Sequence, residues 1–341
     1  MSEQKIPFID IVSSDHYEIG YAIGNALAEK IQRREEWFKN SFQFKVDAID
    51  LTQIARNISE FFPQYFRELA GMADGAKIDI NALLLLTAEE ETALDIAHDH
   101  CTTLALYENG KALFGHNEDW ISGYEEFMYV VRVRNSLNSF LSLAYAGDLP
   151  GSSVALNSHG LVFSGNSILY GSQNGVPKSV ILRSQIEART LDEFIALAVF
   201  SPRMISNHTM AIEQNGNVAS VEATLHDESI LKQRAPFAHT NHLIHHPDSA
   251  TLEKSIAKDT QSSISRLETA QKCLLESQPN QDLLHDILKY HAGAYPICRH
   301  SPRGDLKHSQ TIASAIVNIE DGSLTVWTGT PCSAPREIFY L

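Results

Sequence analysis

The hydrophobic pattern of the first hundred residues is that of amphipathic helices. Apolar side chains recur at intervals of three and four residues, beginning just after Ser14 and Asp15, which are suitable helix N-caps. Pro63 suits the first turn of a later helix. The acidic run 89–91 is typical of a solvent-exposed helix face. Together these signals predict helices over 14–37, 52–62, 63–73 and 80–96.

At residue 101 the apolar period changes from about 3.6 to 2, which indicates β-strands. Three pairs of predicted strands flank the dipeptides Asn109-Gly110, Asn215-Gly216 and Asp321-Gly322, which favour hairpin turns. Helical spacing returns over 177–188, 191–200, 261–276 and 281–290. The predicted strands are 101–107, 111–116, 128–134, 140–146, 153–156, 161–164, 209–213, 218–222, 312–319 and 324–328. These elements predict an α+β fold in which helices cover antiparallel sheets.

Composition and charge narrow the class of protein. The 341 residues include 27 Lys and Arg against 42 Asp and Glu, a net charge of −15, which argues against a nucleic-acid partner. Neither a long apolar run nor a secretory signal pattern is visible, so we expect a cytoplasmic protein without a membrane partner. The chain lacks linkers, glycine-rich nucleotide motifs and paired C-x-x-C spacings. We therefore expect one domain, residues 1–341, with no cofactor and no metal.

Cys101 is the first candidate for a catalytic residue. A cysteine that begins a strand is by itself more often a small buried hydrophobe. The predicted hairpin around Asn109-Gly110, however, places Asn117 and Asp119 just beyond Cys101 in space. A thiol, an amide and a carboxylate at one end of a sheet can form a catalytic constellation.

Five segments, taken together and in order, resemble a known family. They are Glu18-Ile19-Gly20-x-x-x-Gly24, Cys101-Thr102-Thr103, Gly115-His116-Asn117-Glu118-Asp119-Trp120, His239-Thr240-Asn241-His242 and Ile297-Cys298-Arg299-His300. This set is similar to the peptidase C45 family, which contains the isopenicillin N (penicillin) acyltransferases and the β-alanyl-amine hydrolases of the Tan type. The resemblance covers nearly the whole chain.

The resemblance implies a fold and a maturation step. The family has the N-terminal nucleophile (Ntn) hydrolase fold, a four-layer αββα sandwich of two antiparallel sheets between helical layers. Its members cut themselves immediately before the nucleophilic cysteine. By this resemblance, residues 1–100 become an α-chain and residues 101–341 a β-chain that begins with Cys101. We expect the two chains to stay associated, and a homodimer is left open.

The chemistry explains why a free N-terminus is needed. An α-amine titrates near 7.7–8 in peptides, so a free one can act as the base for the thiol of its own residue. In the precursor, the Cys101 thiol would attack the His100 carbonyl and form a thioester that water releases. In the mature enzyme it would attack a small-molecule linear amide or acyl donor. The acyl group then passes to water or to another acceptor.

The resemblance also suggests roles for further residues. Asp119 matches the aspartate that orients the α-amine, and Asn241 matches the asparagine that stabilises the oxyanion. Arg299 is expected to pair with Asp119 or with a substrate carboxylate. Asn117 is a further candidate for substrate contact.

Three residues depart from the family pattern. His116 and Glu118 stand where the family has glutamine and, often, an aromatic residue, and we expect both to line the substrate pocket. His100 stands at the predicted cleavage site, where the family has glycine, which eases the strained backbone that cleavage requires.

Alternative functions follow from the same residues. Because of His100, the chain could be an unprocessed, catalytically silent binding protein on this scaffold. A cysteine Ntn amidase of the penicillin V or bile-salt type usually has an arginine soon after the nucleophile, whereas the next one here is Arg132. A metal-dependent hydrolase would use the histidines of the segment 239–246. Cys273 is expected in the core, and Cys298 and Cys332 are predicted to be isolated, with Cys298 close enough to Arg299 to line the site.

Overall fold

Two β-sheets lie between layers of helices in the computed structural model, which describes residues 5–46, 49–93, 101–247, 249, 260–277, 282–303, 305 and 308–341. The described helices are α1 (His16–Ala26), α2 (Ala28–Val46), α3 (Leu51–Phe61), α4 (Pro63–Ala76), α5 (Ile80–Thr87), α6 (Glu89–Ala93), α7 (Lys178–Gln185), α8 (Leu191–Ala198), α9 (Thr260–Glu276) and α10 (Leu283–Leu288), with a 3₁₀ helix at Tyr124–Phe127. None of them is long and apolar enough to cross a membrane.

The strands form an eight-stranded and a six-stranded sheet. They are β1 (Phe8–Val12), β2 (Thr102–Glu108), β3 (Lys111–Ile121), β4 (Met128–Arg134), β5 (Phe140–Tyr145), β6 (Val154–Asn157), β7 (Leu161–Ser172), β8 (Ile205–Glu213), β9 (Asn217–Ala223), β10 (Glu228–Arg234), β11 (Phe237–His239), β12 (Ser309–Asn318), β13 (Ser323–Thr328) and β14 (Arg336–Tyr340). The larger sheet has the order β1-β4-β5-β6-β7-β8-β9-β10, and the smaller has the order β11-β2-β3-β12-β13-β14.

The three predicted hairpins are confirmed. Asn109 and Gly110, with φ angles of 51° and 79°, connect β2 to β3, and Glu108 pairs with Lys111. The other two hairpins join β8 to β9 and β12 to β13. One detail of the prediction is wrong: β1, which was not predicted, pairs with β4 in parallel, so the larger sheet is not entirely antiparallel. The apolar period alone did not indicate this short strand ahead of α1.

Alternating side chains of the smaller sheet hold the layers together. Leu104 and Leu106 face outward and pack in one apolar cluster with Leu267 of α9 and Leu284 of α10. Ala105, between the two leucines, belongs instead to the larger cluster that lies between the sheets and extends to the helices of the first hundred residues. Period-2 alternation therefore buries both faces of β2. The result is the expected αββα order of layers.

The Glu18–Gly24 segment of the family resemblance is a helix-crossing motif. Gly20 and Gly24 of α1 face Gly71 and Gly75 of α4, and the two backbones approach so closely that a Cβ on Gly20 would lie 1.8 Å from a carbonyl oxygen of α4. Glycine is needed here for space rather than for backbone conformation. The helix predicted from 14 to 37 is interrupted at Leu27, which caps α1, and the chain continues as α2.

Buried ion pairs fix the N-terminal helices to the rest of the chain. Arg183 of α7 lies 3.0 Å from a carboxylate oxygen of Glu68 on α4, and both side chains are almost fully buried. Arg34 of α2 lies 2.8 Å from Glu89 of α6 and also donates to the carbonyl of Ala146. Breaking such a pair by removing one partner leaves a buried charge, which costs about 3–5 kcal/mol.

Candidate active site

The smaller sheet brings four of the resembling segments to one of its ends. Thr102 of β2 is opposite Asn117 of β3, so Asp119 lies just beyond Cys101, as the hairpin prediction requires. Strand β11 lies at the edge of β2 that is opposite β3, and there His239 pairs with Thr103. On the far side of β3, Thr311 of β12 pairs with Asp119. The segments containing Cys101, Asp119, Asn241 and Arg299 therefore meet at neighbouring strand ends.

The Cys101 thiol is buried and lies against a carboxylate. Its Sγ donates to Oε1 of Glu118 at 3.3 Å, and only 3% of the residue is exposed. Burial, followed by the negative charge of Glu118, raises the pKa of the thiol well above its ordinary value, and the nearby Lys178 only partly opposes this. The thiol is therefore protonated at neutral pH and needs a base before it can attack.

Glu118 links the thiol to His116. Its second oxygen, Oε2, lies 3.1 Å from Nε2 of His116, whose Nδ1 is 2.9 Å from the hydroxyl of Thr103. Burial acts to raise the pKa of Glu118, but the hydrogen bond and charge of His116 outweigh it and lower that pKa to about 2. Glu118 is consequently ionised, and it orients the thiol rather than acting as a strong base.

Asp119 is a buried carboxyl with one unused oxygen. Its Oδ1 accepts a hydrogen bond from the Thr311 hydroxyl at 2.6 Å. Its Oδ2 has no hydrogen-bond partner among the residues that the structure describes. Burial raises the pKa of Asp119, while the charges of Arg266 and Arg299 act to lower it. An unsatisfied buried carboxylate oxygen is costly, so this atom is suited to a cation or donor that arrives later.

Arg266 of α9 holds the site together and was not predicted. Its Nη1 donates to the carbonyl of Cys101 at 2.8 Å and to the hydroxyl of Thr102 at 2.9 Å. Its Nη2 donates to Oδ1 of Asn241 at 2.9 Å. The sequence did contain an indication of its role, because Arg266 lies on the apolar face of its helix beside Leu267. Burying an unpaired charge on such a face costs free energy, so a buried arginine there needs polar partners.

Asn241 and Arg299 approach from the loops. One N–H of the Asn241 side-chain amide donates to the carbonyl of Ser167 at 3.1 Å. Arg299 donates through Nη1 to the Ser262 hydroxyl at 3.1 Å, and its backbone N–H donates to Thr311. The charge of Arg299 acts to lower the pKa of Asp119, and a direct pairing of these two groups stays a prediction.

His116 and Asn117 lie behind the wall of the cleft. The Asn117 amide donates to the carbonyls of Leu288 and Ile297 at 2.9 and 3.1 Å, and its Oδ1 accepts from Ser314. This geometry favours a supporting role for Asn117 over the predicted substrate contact. His116 is buried and contacts Glu118 without lining the cleft itself. The predicted cleavage residue His100 lies outside the described residues.

A cleft that is partly open to solvent leads to Cys101 and Glu118. The acidic run 89–91 forms one wall, so its predicted exposed position is wrong: Glu89 and Glu91 are 3% and 8% exposed. The helix predicted over 80–96 instead breaks at Ala88, and the run forms the separate helix α6. Lys178, Tyr145 and Trp120 are among the other lining residues.

Two of the carboxyl groups in the cleft wall, those of Glu91 and Asp148, resist ionisation. Burial, then the neighbouring charge of Glu90, raises the pKa of Glu91 to about 8, although Glu91 accepts the backbone N–H of Lys178 at 2.6 Å. Burial raises the pKa of Asp148 to about 7, opposed by the charge of Arg34. The cleft therefore disfavours further negative charge.

The histidine-rich segment is engaged in hydrogen bonds. His239 pairs with Glu222 at 2.8 Å, and His245 lies 3.0 Å from the hydroxyl of Ser220. Among the described residues, metal-ligand types converge elsewhere, at Cys101, His116 and Glu118 and at His291, Cys298, His300 and Cys332. The prediction that Cys298 and Cys332 are isolated is wrong, since their sulfur atoms are 3.8 Å apart.

The αββα layers and the cleft over a cysteine at the start of the central hairpin define the class, that of the amide hydrolases and acyltransferases with the Ntn-hydrolase fold. Within this class, the model of the acyl-coenzyme A:6-aminopenicillanic acid acyltransferase family matches residues 106–332. The match covers well over half of the chain, and the chain belongs to this family. The resemblance seen in the sequence is thereby confirmed.

Individual relatives are distant. The chain is 24% identical over 356 aligned positions to the β-alanyl-dopamine/carcinine hydrolase of Drosophila melanogaster, covering 93% of this chain and 91% of that protein. It is 26% identical over 249 positions to the 40 kDa form of the acyl-coenzyme A:6-aminopenicillanic-acid acyltransferase of Emericella nidulans, covering 68% and 69%. Among solved structures, penicillin V acylase from Agrobacterium tumefaciens has a TM-score of 0.48 at 10% identity, covering 71% of this chain and 86% of that one.

Proposed function

We propose that the chain is an autoprocessed amidohydrolase or acyltransferase in which Cys101 is the N-terminal nucleophile. The observation that carries this proposal is the position of the Cys101 thiol. Cys101 immediately precedes β2, and its thiol lines the cleft and donates to the ionised carboxylate of Glu118. Because the pKa of this thiol is raised, a base is required. Cleavage before Cys101 would release an α-amine on the same residue, and this amine can act as the base for the thiol.

Asp119 is suited to receive that α-amine. Its Oδ2 atom is buried without a hydrogen-bond partner among the described residues, and the strand register puts Asp119 just beyond Cys101. An α-ammonium group formed on cleavage would supply a charge-assisted hydrogen bond there. The vacant acceptor therefore supports a processed form, and it counts against the catalytically silent scaffold.

The reaction follows from these groups. The α-amine takes the thiol proton while Sγ forms a bond to the substrate carbonyl carbon, and Asn241 donates to the oxyanion. The C–N bond then breaks, and the proton passes from the α-ammonium to the leaving amine. Water, or another acceptor, attacks the resulting thioester and restores the thiol. Arg266 fixes the cysteine carbonyl and Asn241 in one geometry throughout.

The cleft favours an acyl group that carries a positive charge. Five carboxyl groups line it, those of Glu89, Glu90, Glu91, Glu118 and Asp148, against two cations, Arg34 and Lys178. Where the raised pKa values of Glu91 and Asp148 leave these two groups protonated, the three remaining carboxyl groups still outnumber the two cations. A bound ammonium would offset the two effects that raise the pKa of Glu91, which are its burial and then the charge of Glu90. A β-alanyl group is such an acyl group, and the Drosophila relative is described as a β-alanyl-dopamine/carcinine hydrolase. We therefore propose small N-(aminoacyl) amines as the substrate class.

The covalent step is tested by trapping the acyl-enzyme. Processed protein is mixed with an N-β-alanyl anilide, quenched in acid, digested and analysed by mass spectrometry. We expect the added β-alanyl mass on the peptide that begins at Cys101, and the same result in the control Cys273→Ser. An acyl group on any other residue, or anilide hydrolysis that persists in Cys101→Ala, would overturn the assignment.

The substrate class is tested separately with an isosteric pair. An N-butanoyl anilide has a methyl group where the β-alanyl anilide has its ammonium. We expect kcat/KM for the β-alanyl compound to be at least about tenfold higher, corresponding to roughly 1.4 kcal/mol from one charge-assisted contact. Equal values would reject the charged-acyl preference and leave the nucleophile assignment intact.

A further inference from the structure

The second cluster of metal-ligand types lies apart from the nucleophile, on the outer loops of the smaller sheet. His291 and His300 bring their Nε2 atoms to within 2.9 Å of each other. The His300 Nε2 atom is also 3.7 Å from Sγ of Cys298 and 3.5 Å from Sγ of Cys332. The two sulfur atoms are 3.8 Å apart, and all four ligand atoms lie within 4.8 Å of one another.

The four separations among His300, the two sulfur atoms and the His291–His300 pair are close to the edges of a tetrahedral zinc site. Zinc bonds of about 2.3 Å to sulfur and about 2.0–2.1 Å to nitrogen give edges of about 3.8 Å between two sulfurs and about 3.5 Å between sulfur and nitrogen. The nitrogen–nitrogen edge of such a site is about 3.3 Å. The observed His291–His300 separation of 2.9 Å is shorter by an amount that a small ring rotation restores. Two thiolates and two imidazoles in this arrangement are typical of Zn²⁺.

Hydrogen bonds of the backbone fix the loop and the turn that carry the four ligands. The N–H of Cys298 donates to the carbonyl of Tyr290 at 3.0 Å, which closes the loop carrying the first three ligands. Cys332 lies in a turn in which the carbonyl of Thr330 accepts from the N–H of Ala334 at 2.9 Å. His285 of α10 donates to the carbonyl of Pro331 at 3.1 Å and so fixes this turn to the helix.

We propose that His291, Cys298, His300 and Cys332 form a structural zinc site. Four protein ligands leave no open position for a substrate, so the site is structural rather than catalytic. It would join the loop between α10 and β12 to the turn between β13 and β14. The zinc proposal does not rest on the function proposed above. The two are close in sequence, because Cys298 immediately precedes Arg299.

The site also bears on the catalytic geometry. The backbone of Arg299 donates to the hydroxyl of Thr311, which in turn donates to Asp119. Ile297, just before Cys298, accepts a hydrogen bond from Asn117 of β3. A metal that fixes Cys298 would therefore hold the loop that supports this edge of the candidate active site.

The test measures metal content on the full chain. Protein produced in medium supplemented with zinc is dialysed against metal-free buffer and analysed by inductively coupled plasma mass spectrometry. We expect about one zinc per chain, reduced to less than about a tenth in Cys332→Ser and in His291→Ala. Both residues are exposed, so these variants are expected to fold. The matched controls Cys273→Ser and His308→Ala should keep the zinc.

Cobalt gives a second measurement. Replacing zinc with Co²⁺ should produce the intense visible bands of a tetrahedral ion and a sulfur-to-cobalt charge-transfer band, both lost in Cys332→Ser. A chain mass lower by two hydrogens, with a Cys298–Cys332 linked peptide and no bound zinc, would overturn the proposal in favour of a disulfide. Zinc that is lost in Cys101→Ala but kept in Cys332→Ser would assign the metal to the nucleophile cluster and would also overturn it.

Discussion

Asp119→Asn separates catalysis from stability in this protein. The substitution keeps the size of the side chain and the oxygen that accepts from Thr311 at 2.6 Å. It replaces Oδ2, which has no hydrogen-bond partner among the described residues, with an amide donor. A donor at this position cannot accept a hydrogen bond from the α-ammonium of Cys101.

The expected size of the effect follows from one lost charge-assisted hydrogen bond. Such bonds contribute about 1.5–3 kcal/mol, and each 1.36 kcal/mol in the barrier is a factor of ten in rate. We therefore expect kcat/KM of the processed Asn variant to fall by about 10- to 150-fold. The stability of the uncut chain should move in the opposite direction. Burial raises the pKa of Asp119 in the folded chain. At a pH above the ordinary pKa of an aspartate, the ionised carboxyl therefore lowers the free energy of unfolding, and a neutral amide removes that loss.

The assay combines turnover of an N-β-alanyl anilide with thermal unfolding at pH 7. Asp192→Asn changes an exposed carboxylate outside the cleft and serves as the control for the substitution itself. The reasoning predicts a lower kcat/KM for processed Asp119→Asn. It predicts an equal or higher Tm when Asp119→Asn is compared in the uncut Cys101→Ala background. Unchanged kcat/KM in Asp119→Asn would refute the role given to this carboxylate. A fall in Tm large enough to explain the loss of activity would show a structural role instead.

Three further predictions follow from the same geometry. Burial and then the charge of Glu118 raise the pKa of Cys101, and Glu118→Gln removes the second of these causes. The pH profile of Cys101 alkylation, followed by peptide mass, should therefore move to lower pH, and a move to higher pH would contradict this. The pKa of Glu91 is raised from 4.5 to about 8, so the wild type should lose up to about 4–5 kcal/mol of stability as pH rises through that window, a loss that Glu91→Gln should abolish in pH-dependent urea unfolding. Gly20→Ala should destabilise the fold by about 3 kcal/mol or more, because its Cβ would lie 1.8 Å from the backbone of α4, while the exposed Asn25→Ala on the same helix should change stability little.

Local sequence signals predicted most of the regular structure. The Asn109-Gly110 turn adopts the positive φ angles expected of it, and that hairpin alone set the register between Cys101 and Asp119. Strands at sheet edges were harder to predict. β10 and β14 have alternating exposure but mixed polar sequences, and pairing with a neighbouring strand, which sequence periodicity does not encode, determines their conformation.

The site was only partly predictable, for physical reasons. Cys101 and Asp119 lie on one hairpin, so local spacing was enough to bring them together. Arg266 reaches them from a helix more than a hundred residues away in sequence, and only its position on an apolar helix face marks it. The sequence wrongly predicts an exposed helix face for the acidic run 89–91, because its cationic partners, Arg34 and Lys178, come from other helices. Long-range charge pairing of this kind is a property of the fold rather than of the segment.

The central claim is that Cys101 becomes the first residue of a mature chain, and the most direct measurement is intact-protein mass under denaturing conditions. Wild type and Cys101→Ala are expressed in parallel, and every fragment is sequenced from its N-terminus. The account predicts two fragments in wild type, the larger one beginning at Cys101, and a single intact chain in the variant. A wild-type chain that stays uncut for days, or a cut at any other peptide bond, would contradict it.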